Sequence, residues 1–304
     1  MRTVLAADLG GTKCRFALVS EDLAVHGARE VATTMNRSVF LQRMDDAFRE
    51  LAKSCPDSAR PAGAIGVGAA GIVRVDAMAL VGAPNLPIDR FPIGENLQSA
   101  HGLPTTLLND GRASAWGEYL RGHAKGSDPL LVLFFGTGIG IGLIAGGAPF
   151  SGAQNAAGEV GHTIYRPGGR RCVCGNYGCY EAYCGGGPLA LRATEDLGAL
   201  PGGARWTVTA LREHALVDAR ARAILDEAQT AACAMVASLC TLLNPAAVVL
   251  GGGVIGAWPA LAAEIEAFVR RRCSGPVVDD LVFSASVGGS NAILWGAAAA
   301  TGHF

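Results

Sequence analysis

The chain has 304 residues, half of them hydrophobic and 17% charged, with a formal net charge of −1. That length exceeds one average domain, and the near-neutral charge gives no electrostatic footprint for nucleic acid or an anionic membrane. Nine cysteines, an odd number, and an N-terminus, MRTVLAADLGG, whose apolar run is broken by Asp8, point to neither a disulfide framework nor a signal peptide, so a reducing, cytoplasmic setting is expected.

Val4 to Ala7 predicts a short strand that ends in Asp8, followed by Gly10-Gly11-Thr12-Lys13 and a second strand from Phe16 to Val19. From Ser38 the residues Phe40, Leu41, Met44, Phe48 and Leu51 keep helical spacing. Ala64 to Ala69 reads as a buried strand followed by Gly71, and Pro84, Pro87 and Pro92 make the stretch around Asn85 irregular. Thr105 to Leu108 is another strand, ending in Asn109-Asp110, and a helix is expected from Arg112 to Leu120 with Asp110 as a candidate cap.

Leu130 to Phe150 carries no charge over 21 residues, but its six glycines suit two buried strands and a turn better than a membrane helix. The opening pattern returns there: Leu130 to Phe135, Gly136-Thr137-Gly138, then Ile139 to Ile144. This weak internal repeat predicts two lobes of like topology. Further on, a turn at Pro201 to Gly203 precedes a long helix through Ile224, Leu225, Ala228, Ala232, Met235, Val236, Leu239, Leu242 and Leu243, stopped by Asn244-Pro245. Ala246 to Leu250 is a strand running into Gly251-Gly252-Gly253. Trp258, Leu261, Ile265 and Phe268 mark a helix, Val282 to Ala285 a strand, and Ser290 is expected to cap a closing alanine-rich helix. Alternating strands and helices predict an α/β protein with largely parallel sheets.

Three strands thus end in glycine turns, at 10 to 12, 136 to 138 and 251 to 253, where backbone N–H groups can approach an anion and Thr12 and Thr137 add hydroxyl donors. None is a Walker A loop or a dinucleotide G-x-G-x-x-G, which argues against P-loop enzymes and dehydrogenases. Asp8, at the mouth of the first turn, is a candidate Mg²⁺ ligand or a strand-end cap.

From Gly158 to Glu181, Glu159 and His162 lie close to Cys172, Cys174, Cys179 and Glu181. One imidazole and three thiolates make a tetrahedral zinc set with no open position, hence a structural Zn²⁺. Cys184 is expected to be a packed thiol, and Cys14, Cys55, Cys233, Cys240 and Cys273 apolar fillers.

The residues Asp8-Leu-Gly-Gly-Thr-Lys13, Asn109-Asp110, Gly136-Thr-Gly-Ile-Gly140, Gly158-Glu-Val-Gly-His162, Cys172-Val-Cys-Gly-Asn-Tyr-Gly-Cys179 with Glu181, and Leu250-Gly-Gly-Gly253 come in the order of the ROK family, sugar kinases and sugar-responsive repressors on the actin-like ATPase (ribonuclease H-like) fold, which the chain resembles over nearly its whole length. The resemblance implies two lobes with a cleft between them: 1–109, completed by a C-terminal helix at 290–304, and a larger 110–289 with the zinc-binding loop. It implies Asp110 as the catalytic base that takes the proton of a sugar hydroxyl. It also implies sugar binding by Gly71, Asn85, Asn109, Glu159, His162 and Glu181, and ATP binding by Gly10, Gly11, Thr12, Lys13, Thr137, Gly138, Gly251, Gly252 and Gly253, with Asp8 near Mg²⁺. Arg15 is a candidate phosphate contact or a solvated surface cation.

The resemblance implies an ATP-dependent hexose kinase acting on the 6-hydroxyl of glucose or a related aldohexose, in a homodimer or homotetramer. N-acetylglucosamine, N-acetylmannosamine, allose, fructose and kanosamine remain alternative acceptors, and polyphosphate an alternative donor. Gly68-Ala-Ala-Gly71 lacks a proline common in the family, and Pro84-Asn85-Leu86-Pro87 resembles members acting on allose; both bear on sugar identity. A repressor would carry a helix-turn-helix ahead of the kinase-like part. With the phosphate turn expected to begin at residue 8 and no basic charge, that reading is disfavoured, as is a zinc-knuckle nucleic-acid binder on charge and on its single metal site.

Overall fold

The computed structural model describes residues 1–55 and 61–304, the side chain of Ser290 excepted. It divides into two compact units: Met1–Gly126, Gly142–Gly158 and Val287–Phe304 form unit 1, and Ser127–Ile141 and Glu159–Ser286 form unit 2.

In chain order the first elements are β1 Thr3–Leu9, β2 Lys13–Ser20, β3 Val25–Ala32, α1 Arg37–Lys53, β4 Ile65–Ala69, β5 Ile72–Arg74, β6 Ala79–Val81, α2 Ile93–His101, β7 Thr105–Asn109 and α3 Asp110–Arg121. They are followed by β8 Leu130–Phe135, β9 Ile139–Ala145, β10 Ala148–Pro149, α4 Glu181–Cys184, α5 Gly186–Leu197, α6 Val208–His214, α7 Ala219–Leu243, β11 Ala247–Gly251, α8 Gly253–Ala257, α9 Pro259–Arg272, α10 Gly275–Val278, β12 Val282–Ala285 and α11 Ser290–Ala299.

The first sheet has the order β3-β2-β1-β4-β7 and the second β10-β9-β8-β11-β12, the same order in both. The units divide within β9, after Ile141. The sheets are mixed rather than largely parallel. β1 and β2 pair antiparallel because the Gly10–Thr12 connection is too short for a crossover, and only β1, β4 and β7 run parallel. In the second sheet β8, β11 and β12 are the parallel set. The charge-free run from Leu130 therefore forms β8 and β9.

β1 alternates its side chains between two cores. Leu5, Ala7 and Leu9 pack with Phe40, Met44, Phe48 and Leu51 of α1 on one face. Val4 and Ala6 pack with Ala292, Leu294, Trp295 and Ala298 of α11 on the other. α11 also lies against α3: a Cβ on Gly296 would sit within van der Waals overlap of Ala113 O, so the two helices approach closer than any side chain would permit. Its N-cap position is Gly289, without a side-chain cap, rather than Ser290. In unit 2, α7 is long and apolar enough to cross a membrane by composition, yet Ile224, Leu225, Met235, Val236 and Leu239 are buried in that unit's core. It stops where Asn244 takes a left-handed φ of 44° and its N–H donates to Cys240 O.

Candidate active site and metal centre

Two acids stand at the carboxyl ends of strands flanking β4. Asp8 is the penultimate residue of β1, and Asp110 follows β7 as the first residue of α3. The cap of α3 is Asn109, not Asp110: Asn109 Oδ1 accepts the Arg112 N–H at 3.2 Å while its Nδ2 donates to Gly71 O at 3.1 Å. The helix thus begins two residues before Arg112, and the Asp110 carboxylate is left free of capping duty. Asp110 Oδ1 accepts the adjacent Gly111 N–H at 2.8 Å. Burial pushes the Asp110 carboxyl above its usual range, partly offset by the Gly111 N–H and by the Arg112 charge. Asp8 is pushed up to about 7, chiefly by burial and then by the negative charge of Asp110, against the pull of Arg15 and Lys13. Two oxygen donors kept short of compensating charge suit Mg²⁺.

Gly10, Gly11 and Thr12 connect β1 to β2, with Thr12 exposed. Gly10 O accepts the Thr33 hydroxyl at 2.6 Å, and Thr12 O accepts the Thr33 N–H at 3.0 Å, so the residue that follows β3 secures the turn. A Cβ on Gly11 would lie 2.6 Å from Asn85 Cβ, which brings the proline-rich loop against the turn. Lys13 faces Glu30 at 2.8 Å on the exposed side. Arg15, the cross-strand neighbour of Asp8, donates through Nη2 to Asn291 Oδ1 at 3.1 Å, while its buried Nη1 has no partner among the described residues.

In unit 2, Gly136-Thr137-Gly138 is pinned by three backbone bonds. Gly136 N–H donates to Gly138 O at 2.9 Å, and Gly186 and Gly187 N–H groups donate to Gly136 O and Thr137 O at 2.9 and 2.8 Å. Glu181, 7% exposed, accepts the Ile139 N–H at 2.9 Å. A Cβ on Gly138 would fall 2.4 Å from Glu181 Oε2, so the acid packs directly on the turn. Gly252, with φ of 93°, follows β11, and its Cβ would meet Phe135 O at 2.4 Å. Gly251 is buried and Gly253 opens α8.

His162, Cys172, Cys174 and Cys179 bring their donor atoms within 4.8 Å of one another. Cys174 and Cys179 sulfurs are 3.7 Å apart, and Cys172 Sγ is 3.5 Å from His162 Nδ1. A tetrahedron with Zn–S of about 2.3 Å and Zn–N of about 2.0–2.1 Å has edges of about 3.8 Å and about 3.6 Å, so the set fits zinc. Nδ1 is the nitrogen turned to the Cys172 sulfur. Glu159 is exposed, and its carbonyl accepts the His162 N–H at 3.0 Å. Cys184 is buried with its thiol on Tyr180 O at 3.3 Å, a packed thiol as expected.

Sequence reasoning missed Thr33, Asn155 and Asn291, whose bonds run to backbone or to residues remote in sequence, and it read Arg112 only as a helix position. The polar type of each was the only available signal.

Two five-stranded sheets of identical order, each opened by a strand and a glycine turn, are the actin-like ATPase fold. The chain belongs to the ROK family, whose profile matches residues 4–302. It is 30% identical over 300 residues, 97% of each chain, to an N-acetylmannosamine kinase of Salmonella heidelberg. A ROK hexokinase from Thermus thermophilus superposes with a TM-score of 0.81 at 29% identity, covering 97% of this chain and 96% of that one. A ROK family glucokinase from Streptomyces griseus, solved with glucose and AMPPNP, gives 0.81 at 29% over 98% of both.

Proposed function

We propose that this chain is an ATP-dependent hexose kinase that transfers the γ-phosphoryl group to the 6-hydroxyl of glucose or a related aldohexose, with Asp110 as general base. The observation that carries this reading is the Asp110 carboxylate itself. It is relieved of capping by Asn109 and raised in pKa by burial, and its negative charge in turn raises Asp8. A base raised toward neutral pH accepts a hydroxyl proton more readily than an ordinary carboxylate. As the sugar oxygen bonds to phosphorus, its proton passes to Asp110 and the bond from phosphorus to the ADP oxygen breaks.

Gly71, Asn85, Asn109, Glu159, His162 and Glu181 are the proposed sugar-binding residues. Gly10, Gly11, Thr12, Lys13, Arg15, Thr137, Gly138, Gly251, Gly252 and Gly253 are proposed for ATP, with Asp8 directing Mg²⁺, which would neutralise phosphate charge. Lys13 would have to leave Glu30 to take part. The orphaned Nη1 of Arg15 favours phosphate over the solvated alternative. His162, Cys172, Cys174 and Cys179 would hold a structural zinc, with His162 Nε2 left for a sugar hydroxyl.

A second acceptor, N-acetylmannosamine, is favoured by the name of the relative that matches along 97% of its length. An ADP-release assay over glucose, N-acetylmannosamine, N-acetylglucosamine, allose, fructose and kanosamine, with ATP and polyphosphate as donors, separates these. Release with one sugar and ATP is expected; no release with any sugar or donor overturns the kinase reading. A homodimer or homotetramer belongs to the same reading and is measurable by sedimentation.

A further inference from the structure

Around Asp110, unit 1 closes a ring of hydrogen bonds through three segments distant in sequence. Asn109 at the start of α3 donates to Gly71 O at 3.1 Å. Two residues on, in the middle of β5, Val73 O accepts a hydrogen bond from Asn155 Nδ2 at 2.9 Å. The loop from Ser151 to Asn155 then returns to α3, because Arg112 donates through Nη2 to Asn155 O at 2.9 Å and through Nη1 to Ser151 O at 3.4 Å. Ser151 O also accepts the Ala157 N–H at 3.0 Å, so the loop is folded on itself where Arg112 grips it. Gly152 and Asn155 both have left-handed φ, 71° and 57°, a conformation that asparagine tolerates and most side chains do not.

Arg112 is the one charged member of this ring and is only 3% exposed. Burying a guanidinium is costly unless its donors find acceptors, and here two carbonyls of the 151–155 loop accept from Nη1 and Nη2. Its backbone N–H is the group capped by Asn109, so one residue joins cap, helix and loop.

We propose that Arg112 is a positioning residue for the sugar: through the ring it fixes Asn109, the Gly71 carbonyl and the 151–157 loop relative to Asp110, and thereby sets acceptor affinity while leaving ATP affinity to the glycine turns. The ring contains two proposed sugar contacts, Asn109 and Gly71, and none of the Gly10–Thr12 turn. A displacement near 1 Å at a reacting group is worth on the order of 10²-fold in rate, so a loosened ring is expected to be felt in turnover of the sugar. The Arg112 charge also pulls the Asp110 carboxyl downward, a second effect that the lysine variant below retains.

The inference rests on the sugar-kinase reading, and its test has one arm that does not. In Arg112→Gln, hydrogen exchange at the Asn155 and Ala157 amides of the full chain should quicken by roughly tenfold or more, a readout that needs no substrate. With the sugar that the wild type turns over, the sugar KM should rise about fivefold or more while the ATP KM stays within about twofold. Asn155→Gly keeps the left-handed backbone but deletes the Val73 bond, and should raise the sugar KM by a smaller factor. The double variant should fall short of the product of the two, as residues in one network do. Arg112→Lys should recover part of the KM. An unchanged sugar KM, an equal rise in both KM values, or multiplicative effects of the two substitutions overturn the proposal. Should Arg112→Gln fail to fold, Asn155→Gly decides alone: faster exchange at Ala157 with a raised sugar KM supports the ring, and an unchanged KM refutes it. A wild type that phosphorylates no sugar fails the kinase reading, whereas the exchange arm still reports on the ring.

Discussion

The two units treat their acids in opposite ways. In unit 1 Asp8 and Asp110 are desolvated, and burial raises both carboxyls despite the donors and cations around them. In unit 2 Glu181 is committed to the Ile139 N–H and packs on Gly138, beside a four-donor set whose spacing already matches a metal tetrahedron. Under-satisfied groups store reactivity, and satisfied ones hold shape. Chemistry is accordingly to be sought in unit 1 and rigidity in unit 2.

The largest effect should come from breaking the reactive side. Asp110→Asn removes the proton acceptor but keeps the shape, and kcat should fall by about 10²–10⁴-fold, the usual worth of acid–base catalysis. Sugar affinity should stay near wild type by calorimetry. Retention of more than about a tenth of kcat would place the base elsewhere. On the rigid side, removing zinc should act first on stability. Chelated, verified zinc-free protein, or Cys179→Ser, should melt lower by roughly 10 °C, because a structural metal contributes folding free energy directly. Its sugar KM should rise as His162 and Glu181 lose their frame, and an unchanged KM would break the coupling between zinc and sugar. Next in size, Gly138→Ala would drive a methyl to 2.4 Å from Glu181 Oε2 and must displace the acid or the turn. A loss of about 1–3 kcal/mol in stability is expected, as for other overpacked sites, readable by denaturant titration.

Much of this contrast was legible in the sequence because the elements concerned obey local rules. The three glycine turns each follow a strand, Asn109-Asp110 ends a strand, and the zinc donors lie within 18 positions of one another along the chain. α7 announced itself by helical spacing up to Asn244-Pro245. Other elements gave no such signal. β3 is an edge strand with a largely exposed pattern, so no alternation of apolar residues marks it. β5 and β6 are three residues each and form a two-stranded sheet of their own. α2 starts directly after Pro92, where the prolines suggested only an irregular loop, because proline forbids a helix interior but not a helix start. Arg112 reaches carbonyls 39 and 43 residues away, and a backbone carbonyl has no sequence identity to read.

The smallest effect sharpens the reactive side without any substrate. Asp8 has a folded pKa of about 7 against an ordinary value of 3.8, because burial and the Asp110 charge disfavour its ionised form. The native state therefore holds a proton that the unfolded chain releases from about pH 4 upward, so this group's stabilising contribution is full below pH 4 and is lost as pH rises to about 7. Asn at position 8 mimics the neutral acid and does not titrate. Asp8→Asn should match the ligand-free wild type in melting temperature near pH 4 and exceed it by roughly 5 °C at pH 8, while losing phosphoryl transfer. Scanning calorimetry across that range, without Mg²⁺ or nucleotide, checks the sign. A variant no more stable than wild type at pH 8 would mean that Arg15 and Lys13 already compensate Asp8, and that unit 1 holds one strained acid rather than two.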